Sequence, residues 1–321
     1  MSLLAVKGLC KSFHADGSWG GKGHVTRAVD DVSFEIKEGE TLAIVGESGS
    51  GKSTTARIVM RLLDADAGNI VLMGKDMTRL KGKHLREMRK HMQMVFQDPF
   101  ASLNPRMRIG ETVGEGLRVH ARGLNAKQRR EKVTEVLEHC GMGTEVLDRY
   151  PHQFSGGQRQ RIGIGRALAV SPRLLVLDEP VSALDVSVQA QILNLLRKLQ
   201  SEQKLAYLFI SHDLSVVRQV ADRVAVMFAG RIVEQGCVED IYAQPKHPYT
   251  RALLNARPVE HPAKRKKQVD YAVRNEETIA ESGCVFRLRC PCAQRDCEAF
   301  DGLLSGDAHA VACLHPLNPK N

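Results

Sequence analysis

The chain has 321 residues, 43% hydrophobic and 26% charged, with a formal net charge of +9. That length allows one large domain or two smaller ones with a substantial buried core. The composition is that of a soluble globular protein, and the lack of any apolar run of about 18 residues excludes a membrane-spanning helix. The start, MSLLAVKGLCKSF, lacks the basic and long apolar regions of a secretory signal, so a cytosolic location is expected. The basic excess suits an anionic partner such as nucleotide, nucleic acid or lipid surface, and equally a solvated basic face.

Residues 2–10 and 30–36 are predicted strands that bracket a glycine-rich stretch, Gly17 to Gly23. Thr41 to Val45 (TLAIV) is a continuous apolar run, as a buried strand requires. It leads into Gly46, Glu47, Ser48, Gly49, Ser50, Gly51, Lys52 and Ser53, after which Thr54 opens a helical pattern to Leu63. This is G-x-x-x-x-G-K-[ST] between a strand and a helix, the context a phosphate-binding loop needs. Its glycines let backbone N–H groups turn inward on phosphate oxygens, and the helix presents its positive end to the same anion. Lys52 is placed to reach the β- and γ-phosphates and Ser53 to hold Mg²⁺ through its hydroxyl. ATP binding is the expectation.

Residues 79–91 are densely basic and predict a helix with a solvated face, and Gln93 to Phe96 a strand. From Asp98 to about Ala169 helical patterns take over, as in a helical insertion within an α/β domain. Asn125 and Gln128 form a candidate capping box, and Val133, Val136, Leu137 and Cys140 then share one apolar face. Leu174 to Leu177 is a short apolar strand ending at Asp178 and Glu179. Asp178 is the natural carboxylate on the Mg²⁺ side, and Glu179 the natural general base for water. A helix from Val186 to Gln200 follows, then a strand from Ala206 to Ile210 ending at Ser211-His212-Asp213. Ala225 to Phe228 and Arg231 to Glu234 predict a hairpin about Ala229 and Gly230. Strands alternating with helices, with ligand-type residues at strand ends, predict a mostly parallel α/β sheet. Residues 258–283, with the basic run Lys264 to Lys267, are an expected linker to a cysteine-rich tail, 284–321.

Beyond this point the motifs carry a resemblance. Phe154-Ser-Gly-Gly-Gln158 resembles the LSGGQ signature of ABC transporter ATPases, with Phe in place of the first Leu. The phosphate loop, Gln97, the signature, Asp178 with Glu179, Asp185 and His212 follow the family's order: Walker A, Q-loop, signature, Walker B, D-loop and H-loop. The resemblance covers roughly residues 3–257. It implies a P-loop NTPase core of ABC type, with an antiparallel β subdomain and an α-helical insertion at about 98–170. It also implies roles. Gln97 would contact Mg²⁺ and the attacking water. His212 would bond the γ-phosphate. Ser155, Gly156, Gly157 and Gln158 would serve the ATP of a facing subunit. Phe13 would stack on adenine, unless it is a core side chain.

Gln97-Asp-Pro-Phe-Ala-Ser-Leu-Asn-Pro-Arg106 and His247-Pro-Tyr-Thr-Arg-Ala-Leu-Leu254 resemble the dipeptide and oligopeptide importers, a group that includes nickel and glutathione systems. The phosphate-loop form and QMVFQDP look like the second, or F, ATPase subunit. The resemblance implies a paralogous second ATPase subunit, two permease subunits and a substrate-binding protein, at the cytoplasmic face of a bacterial inner membrane, with no nucleic acid. A soluble ABC ATPase acting in translation or DNA repair is the alternative. Five of the eight cysteines lie after residue 280. Cys284, Cys290, Cys297 and Cys313, with Cys292 as an extra, lack the C-x₂-C pairs of common zinc modules. They resemble the tail that ligates a [4Fe–4S] cluster in some peptide-importer ATPases; zinc and plain reduced thiols stay open. Cys10, Cys140 and Cys237 are expected to be buried small apolar residues.

Overall fold

The computed structural model describes residues 2–15, 24–256, 280 and 282–317. Most of the predicted linker and the stretch Gly17 to Gly23 lie outside the described residues. Two long strands, β1 (Ser2–Ala15) and β2 (His24–Lys37), pair antiparallel. Next come β3 (Thr41–Val45), α1 (Lys52–Val59), β4 (Ala67–Leu72) and β5 (Lys75–Asp76). They are followed by α2 (Gly82–Arg89) and β6 (Met92–Val95). Four helices then run in sequence: α3 (Ile109–Val113), α4 (Glu115–His120), α5 (Ala126–His139) and α6 (Gly156–Leu168). The chain returns to the sheet with β7 (Leu174–Asp178), α7 (Val186–Gln203), β8 (Ala206–Ser211) and α8 (Leu214–Val220). It continues through β9 (Arg223–Phe228), β10 (Arg231–Cys237), α9 (Val238–Ala243), α10 (Pro248–Asn255) and β11 (Ala310–Val311).

The strands form two sheets. The smaller is antiparallel, in the order β2-β1-β4-β5, and the larger runs β11-β10-β9-β3-β8-β7-β6. Within the larger sheet β9, β3, β8, β7 and β6 are mutually parallel, and β10 and β11 add an antiparallel edge. The apolar runs are continuous because this sheet is buried on both faces. Side chains alternate between the two. Leu42, Ile44, Leu174, Val176, Leu208 and Ile210 join the core shared with the antiparallel sheet and α1. Ala43, Val45, Leu175, Leu177, Tyr207 and Phe209 join the core shared with the helical region.

Parallel register decides where the chemistry gathers. Val45 lies opposite Ser211, Asp178 opposite Ile210, and Val95 opposite Leu177. The carboxyl ends of β3, β6, β7 and β8 therefore meet along one edge, where such sheets bind ligands. In the helical region Asn125 and Gln128 form a full capping box. Val133, Leu137 and Cys140 are buried, and Val136 packs against them.

Three expectations need correction. The first two strands are longer than residues 2–10 and 30–36, because their pairing carries them beyond the apolar core. Cys237 is exposed, standing as the N-cap of α9 where β10 runs out, and Cys10 is only half-buried. Cys140 is buried as expected, and burial pushes its thiol up to about 12. Residues 283–317 have little regular structure, yet they pack on the larger sheet. Phe286 is buried against Phe228 and Tyr249, with ring centroids 5.2 and 5.4 Å away. Glu234, fully buried on β10, accepts from the backbone N–H groups of Lys246 (2.7 Å) and His247 (2.9 Å) and meets His309 Nε2 at 2.7 Å.

Candidate functional site: a phosphate loop with its polar partners

The phosphate loop turns between β3 and α1, and two of its three glycines, Gly46 and Gly51, answer to close packing. A Cβ on Gly46 would lie 2.1 Å from the Met227 carbonyl oxygen. One on Gly51, whose φ is 103°, would lie 2.1 Å from that of Ala28. Lys52 is almost wholly buried and folds over its own loop. Its Nζ donates to the carbonyls of Gly46 (2.8 Å) and Glu47 (2.7 Å) and to Ser50 Oγ (3.3 Å). Burial lowers its pKa, against the opposing pull of Glu179, Asp178 and Glu47. The ammonium thus sits in the loop's own cradle, on groups it can exchange for phosphate oxygens. Thr54 follows within the first turn of α1, with its side chain half-buried.

Ser53 Oγ donates to Asp178 Oδ1 at 2.8 Å. Asp178 is buried at the end of β7, and that burial raises its pKa despite the Ser53 bond. A hydroxyl and a buried, poorly compensated carboxylate side by side make a donor set for a hard divalent cation such as Mg²⁺.

Glu179 has a left-handed backbone, φ 47°, which is costly for a side chain of its size. Its N–H donates to the Ile210 carbonyl at 3.0 Å, tying the turn to β8. Its carboxylate is held from both sides. Gln97 Nε2 donates to Oε2 at 2.9 Å, and His212 Nδ1 lies 3.2 Å from Oε1. Gln97, Glu179 and His212, 115 residues apart in sequence at the extremes, form one polar cluster beside the loop. The expected metal and base positions are brought together with Lys52.

The signature residues lie elsewhere. Ser155 caps α6, which packs on α3, α5 and the edge strand β6, whereas the phosphate loop follows the more central β3. Ser155 Oγ accepts from the Gln158 N–H (3.4 Å), and Gln158 Oε1 accepts from the Ser155 N–H (3.0 Å). Gly156 and Gly157 face Leu184 and Val188, and a Cβ on Gly157 would come within 2.4 Å of Val188. Asp185 is exposed at the N-cap of α7 with no capping bond. Phe13 on β1 is 43% exposed, so it is not a core side chain, and Lys11 Nζ lies 5.9 Å from its ring centroid.

Sequence reasoning missed four supporting side chains. Arg159 stacks over Phe100, 3.9 Å from the ring centroid, and Arg166 donates to the Ser102 carbonyl, so α6 grips the segment after Gln97. The Tyr249 hydroxyl accepts from the Glu47 N–H at 2.9 Å. Arg289 forks onto Glu47, Nη1 to Oε2 and Nη2 to Oε1, both at 2.9 Å. The QRQR run and the HPYT motif were visible, but their contacts are long-range and have no local signal.

The cysteines of the tail also converge. Cys284, Cys290, Cys292, Cys297 and Cys313, with His315, line one small cavity. Burial raises the thiols of Cys290 to about 12 and of Cys313 to about 11, with neighbouring cysteines adding to both. The donor atoms of Asp296, Cys297 and His315 lie within 4.8 Å of one another. Cys292, set aside as an extra on sequence, belongs to the same ring.

A phosphate loop, a hydrogen-bonded Ser–Asp pair and a Gln–Glu–His cluster on a sheet flanked by an antiparallel subdomain and a helical insertion define an ABC-type ATP-binding cassette. The comparisons agree. Residues 29–182 match the ABC transporter family, and residues 233–297 the oligopeptide/dipeptide transporter C-terminal region. The chain is similar to the probable peptide ABC transporter ATP-binding protein y4tS of Sinorhizobium fredii, 48% identical over 97% of this chain and 89% of that one. It is 47% identical to the oligopeptide transport ATP-binding protein OppF of Salmonella typhimurium, over 90% of this chain and 87% of that one. Among solved structures, the ATP-binding cassette MJ0796, a dimer in a post-hydrolysis state with ADP and Pi, matches with TM-score 0.65. That match is 30% identical and covers 73% of this chain and 98% of that one. The chain belongs to the family of peptide-transport ATP-binding subunits of ABC transporters.

Proposed function

We propose that this chain is the ATP-hydrolysing subunit of a bacterial importer for dipeptides, oligopeptides or related small solutes, of the kind its relatives are named for. The observation that carries the reading is the Gln97–Glu179–His212 cluster beside Lys52, on a chain that matches the oligopeptide transporter C-terminal region. That match and the peptide-transport relatives weigh against a soluble role in translation or DNA repair.

In the reaction, Lys52 exchanges its loop carbonyls for the β- and γ-phosphate oxygens of ATP. Glu179 accepts a proton from the water that attacks the γ-phosphorus. A new P–O bond forms as the bridging P–O bond to ADP breaks, and His212 and Lys52 stabilise the charge that develops. Gln97 orients Glu179 and the water. Ser53 and Asp178 would hold Mg²⁺, which supplies charge neutralisation at the phosphates. Gly46, Ser48, Gly49, Ser50, Gly51 and Thr54 offer backbone or hydroxyl donors, Glu47 sits among them with its N–H held by Tyr249, and Phe13 offers its exposed ring to adenine.

Ser155, Gly156, Gly157, Gln158 and Asp185 complete the site of a facing subunit, so two subunits close head to tail on two ATPs, a paralogue supplying the second. No described helix is long and apolar enough to cross a membrane, in keeping with a peripheral subunit on the cytoplasmic face, bound to two permeases served by a substrate-binding protein. Phe96 and Phe100, both exposed after β6, are the permease-facing surface. Cys284, Cys290, Cys297 and Cys313, which line one cavity, would supply the four thiolates that a [4Fe–4S] cluster takes. Visible absorption with iron in anaerobically prepared protein supports the cluster, and stoichiometric zinc without iron overturns it.

The test of the whole reading is co-purification with two permeases and a second ATPase subunit, followed by ATPase activity in vesicles on adding peptide-loaded binding protein. Stimulation by peptide supports it. Turnover stimulated instead by RNA or DNA, with no permease recovered, overturns it.

A further inference from the structure

Glu47 is an acidic residue at the second position of a loop that must receive a polyanion. Its main chain is fully engaged, the N–H with Tyr249 and the carbonyl with Lys52. Its carboxylate retains 40% exposure, and alone it would repel phosphate and hold Lys52 back from it. Arg289 takes up both of its oxygens in a planar fork. The guanidinium is itself set by aromatic faces, 5.4 Å from the Phe228 centroid and 5.7 Å from that of Phe286. Arg289 lies between Cys284 and Cys290, the first two cysteines of the ring. The C-terminal segment, 242 residues away in sequence, thus reaches the phosphate loop through Arg289.

We propose that Arg289 is a positioning residue of the nucleotide site: by neutralising and turning aside the Glu47 carboxylate, the cysteine-rich segment sets the affinity of the phosphate loop for ATP. The proposal rests on the ATPase reading above. It predicts a split between binding and chemistry, since Arg289 reaches the γ-phosphate only through the loop.

The test uses the full chain, with Mg–ATP binding by calorimetry and turnover in the assembled transporter. Arg289→Ala raises Kd and KM for ATP about tenfold, the scale of one charge-assisted contact, while kcat moves by no more than about twofold. Adding Glu47→Gln to Arg289→Ala recovers most of that loss, because the amide carries no charge. A purely structural role for Arg289 is not rescued in this way. Should Arg289→Ala not fold, Arg289→Lys keeps stem and charge but loses the fork. It raises Kd about threefold, an effect that Glu47→Gln again removes. Wild-type Kd in the Arg289 variant, or a double variant binding no better than the single one, overturns the proposal. Turnover indifferent to Glu179→Gln strikes the ATPase reading instead, and leaves the Arg289 effect on Kd measurable.

Discussion

The sharpest test of the site is Glu179→Gln. The change is isosteric and removes the proposed proton acceptor. The cluster can absorb it: the new amide oxygen accepts from Gln97 Nε2, now 2.9 Å from Oε2, and the amide NH₂ donates to His212 Nδ1, now 3.2 Å from Oε1. The left-handed turn at Glu179 stays tied to β8 through its N–H. Fold and ATP binding therefore persist, and the loss falls on chemistry. General-base catalysis contributes about 10²–10⁴ in rate, or about 3–5 kcal/mol of barrier, and kcat should fall by that factor. Phosphate release under saturating Mg–ATP measures kcat, and nucleotide retained on the isolated complex measures binding. Kd should stay level or fall, since a negative charge beside the γ-phosphate is gone. A variant that keeps more than a tenth of wild-type turnover refutes Glu179 as the base.

Asp178→Asn probes the proposed cation seat. Burial raises the Asp178 pKa, so between the ordinary carboxylate value and the raised one the folded state holds the extra proton, and stability falls as pH rises through that window. Asn keeps an acceptor for Ser53 without the charge. The nucleotide-free variant should melt above wild type at pH 7, the gap closing as pH falls toward the carboxylate range, while Mg-dependent turnover drops to background; an unchanged melting difference across pH contradicts the burial argument. Asn125→Ala removes the capping box of α5 and should cost about 1 kcal/mol in urea unfolding, with ATP affinity unaltered. Phe286→Ala empties a fully buried position against Phe228 and Tyr249, and should destabilise by about 3–5 kcal/mol, raising Kd for ATP through Arg289 as well. Unchanged melting in Phe286→Ala would mean the tail is not docked in solution.

Much of the fold was legible locally. The TLAIV and LLVL runs are strands because a parallel sheet buried on both faces needs uninterrupted apolar residues, and the alternating cores explain why. The capping box at Asn125 is a contact across three residues, readable by spacing alone. Strand ends erred where backbone pairing, not burial, extends β1 and β2. Cys237 erred because composition predicts an average environment, and a strand terminus is not average.

By itself the sequence determined the phosphate loop, the Asp178–Glu179 pair and the order of motifs, since each is a short stretch whose chemistry is set by neighbours in the chain. Only the tertiary structure decided what those stretches meet. Parallel register brought Gln97 and His212 onto one carboxylate, and kept Ser155 to Gln158 on a helix at the sheet's edge. Packing of the tail against Phe228 put Cys292 into the ring and Arg289 onto Glu47. Contacts between residues tens to hundreds of positions apart depend on how the sheet and tail pack, and no local pattern encodes them.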